Sequence, residues 1–376
     1  MPTVRVFILV ALHYQWPIVQ LDISNAFLHG ALSETVFMKQ PSGFVDNTHP
    51  HYVCRLKKAI YGLKQSPRQW YATLSQHLYQ FGFKVSAADP SLLVYHSGSI
   101  SLYILIYVDD ILLTGNDQVN IDKLLDSLQG QFSMRNLGKL SQFLGIHVSS
   151  QKYGLHLSQT AYAKQILDKA GMANSKPVAT PSVYKASVTT TAEVEFENPQ
   201  LYRQIAGSLQ YLTLTRPDIT FAVQQVCQYM HKPLVSHFDA LKRLLRYIQG
   251  TINQGLPLYK DELKLQSYTD SDWAGDSKDR KSVTGYCNFL GKSLISWQAK
   301  KQSIVARSST EAEYRALATT ASEVIWLRRL LADFRISSPQ PTVIFCDNTS
   351  AIALANNPVF HARTKHIEVD CHFIRE

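Results

Sequence analysis

Two adjacent carboxylates, Asp109 and Asp110, stand in an otherwise apolar run, residues 102–113, that contains no Lys or Arg. Burying one ionised carboxylate costs several kcal/mol unless a positive charge meets it. Two side by side resist joint ionisation. The natural compensator is a divalent cation, and Mg²⁺ or Mn²⁺ suits oxygen ligands best. The plainer alternative is a hairpin turn, which Asp favours. A third carboxylate, Asp22, follows the short β-type run 18–21 and precedes Ser24-Asn25-Ala26-Phe27. There it can place an oxygen and a ring in one pocket, or cap the turn through Ser24 or Asn25.

A second set of acids is spread over the last third of the chain. Asp270 ends one β-type run, Glu313 falls in the first turn of a long helical pattern, and Asp347 ends another run. Glu368, or the nearby Asp370, lies in a terminal helical segment. Carboxylates at the carboxyl ends of neighbouring strands can converge. Four of them would hold two divalent ions about 3.5–4 Å apart and orient water for in-line attack on a phosphodiester. Each acid also has a local explanation. Asp270 and Asp347 could be turn residues, Glu313 fits a capping box with Thr310, and Glu368 could be a solvated charge. All four local explanations holding in this β–β–β–α–β–α order is the less economical account.

The elements that must position these groups read as follows. The run 102–113, ending at Gly115-Asn116-Asp117, predicts a buried β-hairpin. Residues 36–41 predict an edge strand ended by Pro41, and 52–56 a second short strand. Residues 57–70 combine four cations, Lys57, Lys58, Lys64 and Arg68, with Tyr61, Gly62, Gln65 and Trp70. Ser66-Pro67 predicts a helix start, with Ser66 as N-cap and Pro67 at N1, and the helix runs through Trp70, Leu74, Leu78 and Phe81. Such an N-terminus beside lysines suits phosphates. Further on, the pattern predicts a helix over 121–132, a strand over 143–148 and a helix over 160–170. Residues 174–197, rich in Ser, Thr, Pro and Ala, predict a linker. Helices over 202–246 break at Arg216-Pro217-Asp218 and Lys232-Pro233. The stripe Lys242–Tyr247 suits either a nucleic-acid backbone or solvent.

The whole composition agrees with an anionic partner. The net charge of +9 over 376 residues favours nucleic acid. Five cysteines without a C-x-x-C pair argue against a disulfide framework or zinc site and for a reducing compartment. No apolar stretch reaches the ~18 residues of a membrane span, and the N-terminal residues read as a helix packed on a core rather than a signal peptide. The abrupt start suggests a chain cut from a larger unit. A small-molecule α/β enzyme is disfavoured, because there is no P-loop, dinucleotide fingerprint or nucleophile elbow.

QLDISNAFLHG (20–30), YGLKQSPRQW (61–70), YVDDILLTG (107–115) and LGKLSQFLGI (137–146) resemble the reverse transcriptase of copia-type LTR retrotransposon Pol polyproteins. YTDSDWAG (268–275), SSTEAEYRAL (308–317), FCDNTSAI (345–352) and RTKHIEVDCHFIRE (363–376) resemble the ribonuclease H of the same polyproteins. The resemblance implies an α+β and α/β chain. Residues 1–154 would be a polymerase palm with incomplete fingers, 155–262 a helical thumb and connection including the 174–197 linker, and 263–376 a ribonuclease H-like mixed-sheet domain. Asp22, Asp109 and Asp110 would hold two Mg²⁺ (or Mn²⁺) ions for nucleotidyl transfer. Phe27 would abut the incoming sugar and favour dNTPs. Tyr61, Gly62, Lys64 and Gln65 would contact template and nucleotide, and 143–148 would be a primer-holding hairpin. Asp270, Glu313, Asp347 and Glu368 would be the metal-binding, catalytic tetrad that cuts RNA in an RNA–DNA hybrid. The implied partners are an RNA template, a DNA primer, the hybrid and dNTPs, in cytoplasmic particles or the nucleus and not in the secretory route. The family's upstream fingers, capsid-like, protease and integrase regions are missing from this sequence. The alternative is therefore a Pol remnant that binds nucleic acid without polymerising.

Overall fold

The computed structural model of the chain is described over residues 1–183 and 194–356. It divides into two compact units. The hairpin unit holds Val10–Leu140 and Arg329–Arg335, and the larger unit holds Met1–Leu9, Ser141–Arg328 and the described residues from Ile336 on.

After helix α1 (Pro2–Tyr14) come β1 (Ile18–Ile23), β2 (Ala31–Lys39), β3 (Val53–Lys58) and helix α2 (Ser66–Phe81). Then follow β4 (Lys84–Val85), β5 (Leu92–Ser97), β6 (Ile100–Tyr107), β7 (Asp110–Gly115), helix α3 (Gln118–Gln131) and β8 (Met134–Lys139). Six strands form one sheet in the order β4-β5-β6-β7-β1-β8, while β2 and β3 make a separate ribbon. The predicted hairpin is β6–β7, and both of its faces are covered, which is why the run reads as continuously apolar. On one face Leu102, Ile104, Ile106, Ile111 and Leu113 join a core with Trp70, Leu74 and Leu78 of α2 and Ile121, Leu124 and Leu128 of α3. Those helical residues recur every three or four positions, which puts them on one stripe. On the other face Tyr103 stacks on Trp16 and meets the tilted ring of Phe334.

The larger unit begins with β9 (Gln142–Phe143), β10 (Ile146–Gln151), β11 (Gly154–Ser158) and helices α4 (Thr160–Lys169), α5 (Pro199–Leu212), α6 (Thr220–Cys227) and α7 (Val235–Gly250). It continues with β12 (Leu256–Tyr259), β13 (Leu265–Ser271), β14 (Val283–Leu290), β15 (Ser293–Lys301), helix α8 (Ser309–Asp333), β16 (Val343–Phe345) and helix α9 (Thr349–Asn356). Two four-stranded sheets result, β12-β11-β10-β9 and β15-β14-β13-β16. In the second, β13, β14 and β15 run antiparallel and β16 lies parallel to β13. Helices α4 to α7 share a core of Ile166, Tyr202, Ile205, Leu209, Leu241, Leu244 and Leu245.

Three local expectations are corrected. The strand expected over 143–148 is a hairpin. Leu144 and Gly145 both take positive φ, 48° and 68°, and Phe143 pairs with Ile146 across them. That is the φ signature of a type I′ turn. Ser66 does not cap α2. Gln65 holds the cap position, and the Ser66 hydroxyl donates instead to Ile60 O at 2.6 Å, closing the loop ahead of the helix. The capping pair of α8 is not Thr310 with Glu313. Glu311 N–H donates to Ser308 Oγ (3.1 Å), and Arg307 N–H donates to Glu311 Oε2 (2.8 Å).

Of the stretch 174–197, residues 184–193 lie outside the described residues. The described ends are anchored. Arg246 donates to Lys176 O and Arg243 to Thr180 Oγ1, and Phe196 stacks on Phe238 at 4.0 Å. Arg243 and Arg246 are thus engaged by the chain itself, as is Tyr247, whose hydroxyl donates to Asp218.

Candidate active sites

The first site is built where β1 meets the β6–β7 turn. Asp22 lies in β1 directly opposite Asp110 of β7. Cross-strand partners in an antiparallel pair point to the same face. Ile23 N–H donates to Asp109 O at 3.0 Å, which ties the turn to β1. The three acids are therefore gathered at one end of the sheet. Burial, then Asp109, then Asp22 push the Asp110 carboxyl above its ordinary value. Ser24 N–H donates to Ser133 O, so Asp22 does not cap that amide.

The turn itself is held under strain. Val108 takes φ 60°, unusual for a β-branched residue, while Asp109 does not share the positive φ. Positive φ at the first central position alone is the mark of a type II′ turn. The Val108 carbonyl accepts a 2.7 Å hydrogen bond from Trp70 Nε1. Trp70 is 1% exposed and is fixed by edge contacts with Phe132. Gly30 packs closely beside it, and a Cβ there would lie 3.1 Å from Trp70 N and from Gln69 Cβ, a tight fit.

Phe27 is buried and its ring meets Tyr61 at 4.4 Å. Tyr61 is exposed, and burial, then Asp109 and Asp22, raise its hydroxyl above the usual phenol value. The aromatic pair thus borders the acids. Gly62, at φ 97°, and Lys64 are exposed, and Gln65 is half-buried, on the loop that leads into α2. Lys57, Lys58 and Arg68 are exposed on the same stretch.

The second site lies at the carboxyl ends of two parallel strands. Tyr268 of β13 pairs with Phe345 of β16; two residues further along the chain stand Asp270, still in β13, and Asp347, just past the end of β16. Glu313, in the first turns of α8, is 5% exposed, and its Oε1 accepts from Ser271 N–H at 3.2 Å. Its Oε2 is buried without a hydrogen bond. Burial and the neighbouring Asp270 and Asp347 push this carboxyl up to about 7, against the opposing Ser271 N–H. Glu368 and Asp370 lie outside the described residues.

Both donor sets suit hard divalent cations. Each is made of carboxylate oxygens, one member of each set (Asp110, Glu313) is held above its ordinary value by burial and its acidic neighbours, and among the described residues none of the ion pairs includes Asp22, Asp109, Asp110, Asp270, Glu313 or Asp347. A buried carboxylate oxygen with no donor is the kind of atom that a cation satisfies.

Three contributors escaped the sequence reading. Trp70 was legible as a core residue of α2, but no local pattern shows that its N–H reaches a turn 38 residues away. Tyr211 donates its hydroxyl to Leu144 O, pinning the β9–β10 turn, and a Cβ on Gly145 would lie 2.7 Å from that hydroxyl. Cys346 places its thiol among the second set of acids, within 4.8 Å of ligand atoms of Glu313 and Asp347. Its position next to Asp347 was the available signal.

Residues 1–184 match the family model described as reverse transcriptase (RNA-dependent DNA polymerase). The chain is 50% identical over 374 residues to the retrovirus-related Pol polyprotein from transposon RE2 of Arabidopsis thaliana, covering 99% of this chain and 26% of the relative. It is 39% identical over 386 residues to that from transposon TNT 1-94 of Nicotiana tabacum, covering 100% of this chain and 29% of the relative. The chain thus spans about a quarter of the length of these curated relatives. The foamy viral protease-reverse transcriptase dRH, solved in complex with ds DNA, aligns with a TM-score of 0.52 at 12% identity, over 98% of this chain and 56% of that one. That likeness shows a shared polymerase fold. The chain belongs to the family of the copia-type, retrovirus-related Pol polyproteins of transposons.

Proposed function

We propose that this chain is a retroelement RNA-directed DNA polymerase joined to a ribonuclease H. The observation that carries the reading is the gathering of Asp22, Asp109 and Asp110 at one sheet end, with the Phe27–Tyr61 pair beside them. In this reading 1–154 is a palm with partial fingers, 155–262 a thumb and connection, and 263–376 a ribonuclease H-like domain.

Asp22, Asp109 and Asp110 would hold two Mg²⁺ or Mn²⁺ ions. Such ions make a bound hydroxyl or water a stronger nucleophile and neutralise charge on the departing oxygen. The chain's own residues do the rest. The Phe27 ring walls the sugar position and disfavours a 2′-hydroxyl. Lys57, Lys58, Lys64 and Arg68 meet phosphates ahead of α2, where the helix N-terminus adds its own attraction. Gly62 and Gln65 let the backbone approach template and nucleotide. The β9–β10 turn, pinned by Tyr211, steadies the primer end. In the second site Asp270, Glu313 and Asp347, with Glu368, would hold the ions that orient water on the RNA strand of a hybrid.

Primer extension on an RNA template with Mg²⁺ tests the first activity. Asp109→Asn is expected to reduce incorporation on the order of 10²-fold or more, the scale of losing one electrostatic stabiliser. Equal background incorporation by both forms would reject polymerisation and leave nucleic-acid binding as the reading. Hybrid cleavage is tested separately with Asp347→Asn. Unchanged RNA cutting would overturn the second assignment.

A further inference from the structure

The second acid cluster contains a sulfur. Glu313, Cys346 and Asp347 each offer one ligand atom, and the three atoms lie within 4.8 Å of one another. Glu313 is more than nine-tenths buried, one of its carboxylate oxygens takes the Ser271 N–H, and the other is buried without a hydrogen bond. Cys346 and Asp347 follow directly on β16, so the backbone that fixes one fixes the other.

A pair of hard ions has no use for a thiol, since Mg²⁺ takes oxygen. Zn²⁺ and Cd²⁺ are held by Cys sulfur together with carboxylates, and three protein ligands with one open position is a common zinc arrangement. We propose that Glu313, Cys346 and Asp347 form a site for one thiophilic divalent ion of the Zn²⁺ class. On binding, the Sγ–H bond breaks, its proton leaves to solvent, and the sulfur lone pair forms the bond to the metal. No oxidant or reductant is involved. The ion takes Glu313 and Asp347 away from the hard ions, so it opposes hybrid cleavage. That consequence rests on the hybrid-cutting reading above, whereas the binding itself rests on the geometry alone. The competing account is that Cys346 merely fills space against Tyr314 and Ala351.

The test is a Cd²⁺ titration of the full chain, read by the ultraviolet thiolate-to-cadmium band. The wild type is expected to show a band that Cys346→Ser abolishes, and Glu313→Gln is expected to weaken the affinity roughly tenfold or more. A band that is undiminished in Cys346→Ser overturns the site. A second measurement needs no variant. Zn²⁺ is expected to slow iodoacetamide alkylation of Cys346, mapped by mass spectrometry, about tenfold at concentrations where Mg²⁺ does not. Equal alkylation with and without Zn²⁺ overturns the proposal. The two readings part cleanly. Cadmium bound at Cys346 in a chain that cuts no hybrid keeps the site and removes the cleavage. Mg²⁺-dependent cutting with Cys346 unprotected does the reverse.

Discussion

Asp110 sits where the acids of the first site crowd together. It lies across from Asp22 and next to Asp109, and burial first, then the charges of Asp109 and Asp22, hold its carboxyl above the ordinary value. In the turn that delivers Asp109 and Asp110, Trp70 Nε1 donates to the carbonyl of a residue with unfavourable φ. Trp70→Phe keeps most of the ring packing but leaves the Val108 carbonyl without that donor, which costs about 1–3 kcal/mol where the group is buried. Primer extension by this variant is expected to fall in kcat and to require more Mg²⁺. On a Val108→Gly background the same change is expected to matter less, because glycine takes positive φ without strain. An equal effect on both backgrounds, seen in kinetics alongside thermal melts, would contradict the role. At this scale the sequence was informative about charge and poor about reach. Adjacent acids in an apolar run announce themselves, whereas a hydrogen bond from α2 to a distant turn leaves no local trace.

At the scale of elements, hydrophobic period was sufficient for the β6–β7 hairpin, α2, α5 and α7, because each buries a regular stripe or face. It failed at residues 143–148. Two apolar residues flank a positive-φ pair there, and Leu144 gives no sign of the turn it makes. The break between α5 and α6 was visible as Arg216-Pro217-Asp218, but its construction was not. Arg216 is 1% exposed and holds Asp218 through Nε (2.9 Å) and Nη2 (2.7 Å), while donating to Thr251 O and Oγ1 at the end of α7. Arg216 and Tyr247 hold the Asp218 carboxyl below its ordinary value of 3.8, against the opposing effect of burial. A depressed carboxyl adds stability that is present above its unfolded value and disappears as pH falls through the folded one. Asp218→Asn is therefore expected to destabilise the protein at neutral pH by about 3 kcal/mol, the lower end for a broken buried pair. The gap in melting temperature from the wild type should close as the pH drops below 3.8. A gap that stays constant into acid would show that the pair acts through shape rather than charge.

For the molecule as a whole, the ordered succession of motifs made the family legible where no single motif would, and the relatives agree over nearly all of the chain. The division into units was less legible. Residues 1–9 belong to the larger unit and residues 329–335 to the hairpin unit, groupings made by packing between segments far apart in sequence. In the function proposed above, the two units share a chemical device, acids from separate strands and helices that divalent ions would satisfy. Iron substitution reads that device directly. Fe²⁺ loaded in place of Mg²⁺, with ascorbate and peroxide, cuts backbone near bound metal. The account predicts cuts around Asp22 and Asp109–Asp110 in one unit and around Asp270, Glu313 and Asp347 in the other, all suppressed by excess Mg²⁺. Cleavage that passes over these segments, or that Mg²⁺ leaves unchanged, would contradict it.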